Sequence, residues 1–407
     1  MINIIFFLIL IIFIPNIVNF IILPIYYESP EKNEFNNFNF IKKIYTNISL
    51  GYPPQNLKVN LNLNESKFLI SKELYNISNS FTNDIINENN FYEKITLVIN
   101  LSPNNLNNYI YKKKECYINY NFYITENKEN IFGLKLSNNC LLFNESFIYN
   151  LKRQNYLKEN VFYFDFENNL FIIGIQPYEF NKEKYNNINY FSINTLDNDK
   201  TSIKFDKIII GNNKYNLNNN SIIYFDVNYY GIKGTKEYYN YINKEYFNKY
   251  YKNNLCKKEY DNNIENIIII CNKKININNF PDLSFISNHI NNSLVLTKND
   301  LFYKKNNKYY FLISFDKYQN DNWSLGLIFM KKYQPIFEEE KKIIRFYINN
   351  QINYKNHKIK IKFLLNLFFL FIFLLLTILL IKYNLNKPRK IRANELEENV
   401  EYKLILK

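Results

Sequence analysis

The chain has 407 residues and a formal net charge of +14, with two histidines and four cysteines. So few histidines, His289 and His357, give little basis for a zinc site or for histidine-dependent catalysis. The lysines are spread along the whole chain rather than gathered in one basic stretch, so the charge does not indicate a nucleic-acid partner. We therefore expect no metal, no cofactor and no nucleic acid.

The N-terminus predicts export. An almost unbroken apolar run from Ile2 to Ile14 is shorter than a membrane span and is typical of the core of a signal peptide. We predict a signal peptide over residues 1–22, with cleavage between Asn16 and Leu23. An uncleaved anchor is the alternative. Aromatic residues make up 18% of the chain and only 7 residues are glycine, a composition that favours strands in the part that follows.

The first strong strand pattern lies between residues 43 and 71. Apolar residues alternate from Ile44 to Leu50 and again from Leu57 to Leu63, and the turn Gly51-Tyr52-Pro53-Pro54-Gln55 separates the two runs. This pattern predicts a β-hairpin. Further along, the segment Phe147–Leu157 has helical spacing and lies between short apolar runs, which indicates a short helix among strands.

A similar order returns in the second half of the chain. Alternation over residues 203–210 and 221–227, on either side of a turn at Gly211, predicts a second hairpin. An amphipathic segment, Glu237–Tyr251, predicts a helix. Cys256 and Cys271 flank a hairpin-like stretch.

In this order, the segments resemble the landmarks of the pepsin-like (plasmepsin-like) aspartic protease family over residues 40–347. The resemblance rests on the Gly-x-Pro-x-Gln turn at 51–55, on Gly133 and Gly174 around the short helix, on Phe280-Pro281-Asp282 and on Trp323-Ser324-Leu325-Gly326. It implies a mainly β, bilobal pepsin-like fold. Two β-rich lobes, residues 23–190 and 191–347, would enclose a cleft.

The resemblance also places the two catalytic positions. Asp226 matches the second catalytic aspartate, whereas Asn62 stands where the first would be. Aspartic proteolysis needs two carboxylates that share one proton, and asparagine does not ionise. The threonine and glycine that follow each aspartate in the family are replaced by Leu63-Asn64 and Val227-Asn228, and the flap region, residues 95–109, has no glycine. Glu65 is a nearby carboxylate that could substitute for the missing one.

The C-terminal part predicts a membrane anchor. Residues 348–362 form a polar, basic stalk, and residues 363–381 read FLLNLFFLFIFLLLTILLI, about one bilayer of helix at ~1.5 Å rise per residue. Basic residues follow this run, so residues 382–407 are predicted as a cytoplasmic tail. With the signal peptide, this predicts a single-pass type I membrane protein of the secretory pathway, a vesicle or the cell surface, with its lobes luminal or extracellular and the lipid bilayer as a partner.

The cysteines and sequons fit that compartment. The economical pairing is Cys116–Cys140 and Cys256–Cys271, although four cysteines allow three connectivities. Sequons that are compatible with a glycoprotein occur at Asn47, Asn64, Asn76, Asn100, Asn144, Asn219, Asn291 and Asn322.

Two functions remain open from the sequence. The first is a pseudoenzyme, a catalytically inactive and membrane-tethered protease homologue that binds a protein or peptide in its cleft or acts as a structural module. The alternative is a divergent, active, membrane-anchored aspartic endopeptidase that uses Asp226.

Overall fold

A computed structural model describes residues 20–28, 43–81, 84–87, 90–101, 112–135, 147–185, 190–196, 199, 201–211, 213–217, 221–261, 265–287, 293–316, 321–347, 372 and 376–383, with the backbone alone between 84 and 121. The chain divides into two compact units, residues 1–348 and 349–407, which are considered separately. The first unit is mainly β, and its described strands form four sheets.

The first half of this unit, residues 20–185, is built mostly of strands. Its elements are β1 Ile21–Pro24, β2 Tyr26–Tyr27, β3 Ile44–Leu50, β4 Gln55–Asn62, β5 Phe68–Ser71, β6 Asp84–Asn87, β7 Asn90–Leu101, β8 Lys112–Thr125, β9 Ile131–Gly133, α1 Phe147–Arg153, β10 Val161–Asp165, β11 Leu170–Ile173, α2 Pro177–Phe180 and α3 Lys182–Tyr185. An eight-stranded sheet contains β2 to β9 in the order β2-β3-β4-β9-β5-β8-β7-β6.

The second half, residues 190–347, is also built mostly of strands. Its elements are β12 Tyr190–Asn194, β13 Lys207–Ile210, β14 Asn213–Asn216, β15 Ile223–Phe225, β16 Ile232–Gly234, α4 Lys236–Ile242, a π-helical turn Asn243–Phe247, α5 Asn248–Lys252, β17 Cys256–Asp261, β18 Asn266–Asn272, β19 Leu283–Ile286, β20 Ser293–Leu296, α6 Lys298–Leu301, β21 Phe302–Lys305, β22 Lys308–Asp316, β23 Trp323–Leu325, α7 Leu327–Tyr333, β24 Ile336–Glu338 and β25 Ile343–Tyr347. One sheet runs β14-β13-β19-β20, and another runs β15-β23-β16-β22-β18-β17 with β21 beside β22.

The first predicted hairpin is confirmed. Strands β3 and β4 pair antiparallel from Tyr45 opposite Asn60 to Leu50 opposite Gln55. Alternate residues of both strands are buried, as the period of two requires. Gly51 in the turn has a φ of +81°, and a side chain there would lie 2.7 Å from the Tyr75 hydroxyl, so the position needs glycine.

The second predicted hairpin is wrong, because its first strand pairs with a different segment of the chain. Strand β13 turns at Gly211, whose φ is +56°, and pairs with β14, so that Ile210 lies opposite Asn213. The later run forms β15, which belongs to another sheet and is joined to the residues before β13 by a single bridge between Ile203 and Ile223. A tight turn brings an asparagine-rich stretch back onto β13, and that stretch has no apolar alternation to mark it as a strand.

Both predicted helices are present. Helix α1 begins at Phe147 as predicted and ends at Arg153, and Asn155 in left-handed conformation follows it. The amphipathic segment after Asp226 forms α4, the π-helical turn and α5. Thr235 caps α4 by accepting a hydrogen bond from the amide of Tyr238, and the Tyr238 side chain is buried in the core.

A six-stranded sheet joins the two halves, in the order β1-β11-β10-β24-β25-β12. The first three strands come from the first half and the last three from the second. The junction is the antiparallel pair of β10 and β24, with Val161 opposite Glu338 and Tyr163 opposite Ile336. All residues of β10 are buried, and the rings of Phe162 and Phe337 stack with centroids 4.7 Å apart. The halves therefore share one continuous core.

Strand β1 constrains the predicted signal peptide. Ile21 and Ile22 lie opposite Ile173 and Ile172, and both are almost fully buried. The predicted boundary after residue 22 would divide this strand. A mature chain that keeps the whole strand begins at or before Ile21, and the preceding residue, Phe20, is also buried. Residues 1–19, and with them most of the predicted signal peptide, lie outside the described residues.

Each half contains a psi motif, in which one strand lies between two strands that are consecutive in the sequence. In the first half, β9 pairs in parallel with β4 and antiparallel with β5. In the second half, β23 pairs in parallel with β15 and antiparallel with β16. The same strand arrangement therefore occurs twice, and it brings the ends of β4 and β15 to equivalent places.

The second unit is described only at residue 372 and over residues 376–383, which are helical. Its described large apolar side chains are all exposed, from 38% for Ile372 to 67% for Tyr383. Within the described residues, no helix is long and apolar enough to cross a membrane. The stalk, most of the predicted span 363–381 and the tail from residue 384 lie outside the described residues.

Candidate functional site

The two predicted catalytic positions lie at equivalent places in the two psi motifs. Asn62 is the last residue of β4, and Asp226 directly follows β15. The side-chain oxygen of Asn62 accepts a hydrogen bond from the amide of Asn64 at 2.8 Å, and that of Asp226 accepts one from the amide of Asn228 at 2.9 Å. Both are the local turns that asparagine and aspartate form with the backbone two residues on. The asparagine at position 62 thus keeps the turn and lacks the charge.

Two glycines allow these turns to pack against the neighbouring strand. A Cβ atom at Gly133 would lie 2.4 Å from the carbonyl oxygen of Lys67, and one at Gly326 would lie 2.2 Å from that of Tyr229. Real Cβ atoms do not approach a backbone oxygen so closely, so neither position accepts a larger residue without moving the chain. The short distances explain why Gly133 and Gly326 are present in a chain with only 7 glycines.

The turn of the second half reaches directly into the first half. Asn228 Oδ1 accepts a hydrogen bond from the amide of Ile44 at 3.0 Å, and Asn228 Nδ2 donates one to the carbonyl oxygen of Leu61 at 2.8 Å. Leu61 immediately precedes Asn62, so the two turns lie next to one another. From the sequence, Asn228 was recognised only as a replacement for a glycine of the family. An amide side chain that both donates and accepts was the signal for this bridge.

A second contact between the halves lies at Leu63. Thr201 Oγ1 lies 3.5 Å from the carbonyl oxygen of Leu63 and 2.6 Å from Asp199 Oδ1. Asp199 Oδ2 is in turn 3.1 Å from Lys135 Nζ of the first half, and this carboxylate is only 12% exposed. None of these three polar residues was recognised from the sequence, because Lys135 lies far along the chain from Asp199 and Thr201.

Asp226 has a cationic neighbour. Its Oδ2 atom is 3.6 Å from Lys233 Nζ, and the aspartate side chain is 17% exposed. The same ammonium lies 4.5 Å from the centre of the Tyr229 ring, whose pKa is raised well above its usual range by burial, so this phenol is neutral. The charged neighbour of Asp226 among the described residues is thus an ammonium, whereas the mechanism of an aspartic protease needs a second carboxylate beside it. Lys233 was not recognised from the sequence.

The carboxylate of Glu65 forms hydrogen bonds within its own loop. Its Oε1 atom accepts hydrogen bonds from the amides of Ser66 at 2.9 Å and Lys67 at 3.0 Å. The predicted flap region corresponds to the long hairpin of β7 and β8, paired from Asn90 opposite Tyr123 to Leu101 opposite Lys112. Residues 102–111, which include the rest of the predicted flap region, lie outside the described residues.

The predicted Cys256–Cys271 disulfide is present. The two residues lie opposite one another on β17 and β18. Of the second predicted pair, Cys116 lies on β8 where only the backbone is described, and Cys140 lies outside the described residues. In the described part of the chain, no group of three or more His, Cys, Asp or Glu side chains is placed to hold a metal ion.

A pocket of about 140 Å³ opens beside Lys233. Three of its residues lie next to one another on adjacent strands, because Ser324 lies opposite Tyr224 on one side and Lys233 on the other. The pocket is lined by Tyr224, Lys233, Gly234, Asn266, Asp316, Asn322, Trp323 and Ser324. The pocket thus has polar and aromatic residues in its walls, and one of them is Lys233, which pairs with Asp226.

No family model matches the chain, and a search of curated proteins finds no match. The geometry of the site is therefore the basis for inferring its chemistry. The site offers one carboxylate, one ammonium, two asparagine side chains and a small pocket, which can bind a ligand through charge and hydrogen bonds. They do not form a pair of carboxylates that shares a proton.

Proposed function

We propose that this chain is a catalytically inactive relative of the pepsin-like aspartic proteases, which binds a peptide or protein segment in a cleft between two β-rich lobes. Three observations support the family and the bilobal arrangement. The sequence landmarks occur in the family's order, a psi motif occurs in each half, and each half contributes three strands to the joining sheet. The two halves of this chain correspond to the lobes.

The proposed loss of activity rests on the Asp226–Lys233 pair, together with Asn62 at the equivalent place in the first half. In the dyad mechanism one carboxylate is ionised and the other is protonated, and mutual repulsion separates their pKa values. Here the only carboxylate at the two positions is balanced by an ammonium at 3.6 Å. The site can bind a peptide, but it lacks the second carboxyl group, which would donate a proton to the peptide carbonyl.

Membrane anchoring in the secretory pathway is part of the proposal. The described helical residues of the second unit expose large apolar side chains, which is unfavourable in water and favourable in a bilayer. The Cys256–Cys271 disulfide fits an oxidising compartment. We place the binding lobes in the lumen or outside the cell, with the cytoplasmic tail on the other side of the membrane.

One observation favours the alternative, a divergent endopeptidase. Asp226 has the position and the backbone turn that the second catalytic aspartate would need, and its side chain is partly exposed. Such an enzyme would have to activate water with Asp226 and to protonate the leaving group with another residue.

The test is proteolysis and peptide retention by the full-length chain in detergent, from acidic to neutral pH. A degenerate peptide pool is incubated with the wild type and with Asp226→Ala, and folding of both is checked by thermal unfolding. We expect no cleavage by either protein and retention of peptides by the wild type. Cleavage by the wild type that disappears in Asp226→Ala would establish the endopeptidase instead. If the folded wild type neither cleaves nor retains peptides, the proposed binding function is refuted.

A further inference from the structure

One sequon combines an exposed asparagine with an exposed hydroxyl residue. The structure describes the side chains of four of the sequons, which begin at Asn47, Asn64, Asn76 and Asn322. Asn76 and Ser78 are both exposed, whereas the serine of each of the other three is partly buried, and Asn322 is partly buried as well. An N-glycan is bulky and hydrophilic, so it needs an asparagine at the surface. Of these four sequons, the one at Asn76 meets that requirement best.

The hydrogen bonds of Asn76 do not use the atom to which a glycan is attached. Asn76 caps a short 3₁₀ turn, Ile77–Asn79, and its Oδ1 accepts hydrogen bonds from the Ser78 amide at 3.1 Å and the Ser78 hydroxyl at 2.6 Å. Gln55 holds its backbone, because Gln55 Nε2 donates to the Asn76 carbonyl oxygen at 2.8 Å and Gln55 Oε1 accepts from the Asn76 amide at 3.0 Å. A substituent on Nδ2 leaves all four bonds intact.

Asn322 has the opposite arrangement. It lines the small pocket beside Lys233, and its Oδ1 accepts a hydrogen bond from the amide of Ile222 at 3.1 Å. The next residue, Trp323, begins strand β23 and is almost fully buried. An oligosaccharide on Asn322 would have to leave the chain past the walls of this pocket. We therefore expect this sequon to remain unmodified.

Exposed apolar side chains lie in the segments around Asn76. The turn that contains Tyr52 contacts this segment, because its amide donates to Ser80 Oγ at 3.1 Å and its carbonyl oxygen accepts from the Phe81 amide at 2.7 Å. The side chains of Tyr52, Leu74 and Phe81 are all exposed, and Phe81 is 83% exposed. A hydrophilic oligosaccharide on Asn76 would make unspecific association through these side chains less favourable.

We propose that Asn76 carries an N-linked oligosaccharide. The inference rests on the luminal placement of the lobes in the proposed function and adds to it one modified residue. The donor, by chemical class, is an oligosaccharide diphosphate of a lipid. Asn76 Nδ2 forms a bond to the anomeric carbon of the sugar, and the bond from that carbon to the diphosphate oxygen breaks. The lipid diphosphate leaves with the electron pair of that bond, and Nδ2 loses one proton to it. The hydrogen bond from the Ser78 hydroxyl to Oδ1 polarises the amide and thereby favours loss of this proton.

The second half of the first unit offers a matched position without a sequon. Asn276 caps the turn Ile277–Asn279 by accepting a hydrogen bond from the Asn278 amide at 3.0 Å, as Asn76 does from the Ser78 amide. Residues 271–280 also have the same sequence of buried and exposed positions as residues 71–80. The third residue is Asn278 rather than serine or threonine, so the acceptor motif is absent. Asn278→Ser would complete that motif in the same local geometry.

The test expresses the full-length chain in a eukaryotic cell line that N-glycosylates its secretory proteins. Enzymatic removal of the glycans in heavy-oxygen water converts each glycosylated asparagine into a labelled aspartate, which peptide mass spectrometry locates. A sample without the enzyme corrects for spontaneous deamidation. We expect the label at Asn76 and none at Asn322. Ser78→Ala should lose the label at Asn76 and the mass of one glycan, whereas Ser78→Thr, which preserves the motif, should keep both. Asn278→Ser should gain one glycan at Asn276.

The outcomes separate this inference from the proposed function. Label at other sequons without label at Asn76 refutes the proposed site and leaves the luminal placement intact. If no sequon is labelled, the site is also refuted, and protease protection of the lobes in intact membrane vesicles decides whether the luminal placement has failed as well. Label at Asn322, or no glycan on Asn278→Ser, would overturn the argument from exposure and turn geometry. Peptide retention is measured separately, and the mapping of the wild type does not depend on whether a variant folds.

Discussion

The bridge made by Asn228 gives the sharpest prediction. In Asn228→Ala the amide of Ile44 and the carbonyl of Leu61 each lose a hydrogen-bond partner from the other half. A typical net contribution is about 1 kcal/mol per bond, and partly buried groups left without partners add to the loss, so we expect destabilisation of about 2–3 kcal/mol. The local turn is kept, because the amide of Asn228 still donates to Asp226.

The expected change in melting temperature follows from the size of the first unit. Unfolding of residues 20–347 should carry an entropy of about 0.7 kcal/mol per kelvin, at about 2 cal/mol per kelvin for each residue. A loss of 2–3 kcal/mol then lowers the melting temperature by about 3–4 °C. Differential scanning calorimetry of the full-length chain in detergent resolves such a shift.

Asn64→Ala is the matched control for this experiment. Asn64 has the equivalent place in the turn of the first half, and its side chain is exposed. Its replacement should change stability by no more than about 0.5 kcal/mol, as is usual for surface substitutions. If the two variants unfold at the same temperature, Asn228 does not hold the halves together and the argument from its hydrogen bonds is wrong.

Three further predictions concern activity, the disulfide and alkaline pH. Asn62→Asp alone should not create a peptidase, because Lys233 still balances Asp226; peptide cleavage at acidic pH that pepstatin inhibits would contradict this. Replacing Cys256 and Cys271 by serine opens a link between residues 15 positions apart and should cost about 3 kcal/mol, measured as a lower denaturant midpoint, and an unchanged midpoint would refute it. Burial, followed by the charge of Glu237, raises the pKa of Tyr215 to about 12. Since the folded chain holds this proton more tightly than the unfolded chain, stability is full below pH ~10 and falls as the pH rises toward ~12; Tyr215→Phe should lessen this fall.

Much of the secondary structure is determined locally. The hairpin of β3 and β4 was predictable because alternating apolar residues and a Gly/Pro turn act over a few residues, and the same holds for the start of α1 and for the pairing of Cys256 with Cys271. The absence of a carboxylate at Asn62 is likewise a property of the sequence. The wrong partner assigned to β13 shows the limit, because its true partner, Asn213–Asn216, has no alternation of apolar residues to mark it as a strand.

Only the tertiary structure decided which charged groups lie next to one another in the candidate site. Lys233 faces Asp226 because β23 inserts between β15 and β16, and no local pattern specifies that insertion. The bridge from Asn228 to Ile44 spans 184 residues, so it exists only once the six-stranded sheet has joined the halves. Sequence alone determined which residue types were present and which were missing. Which charges and hydrogen-bonding groups meet was decided by the pairing of strands that are distant in the chain, since such pairing depends on the packing of the whole core.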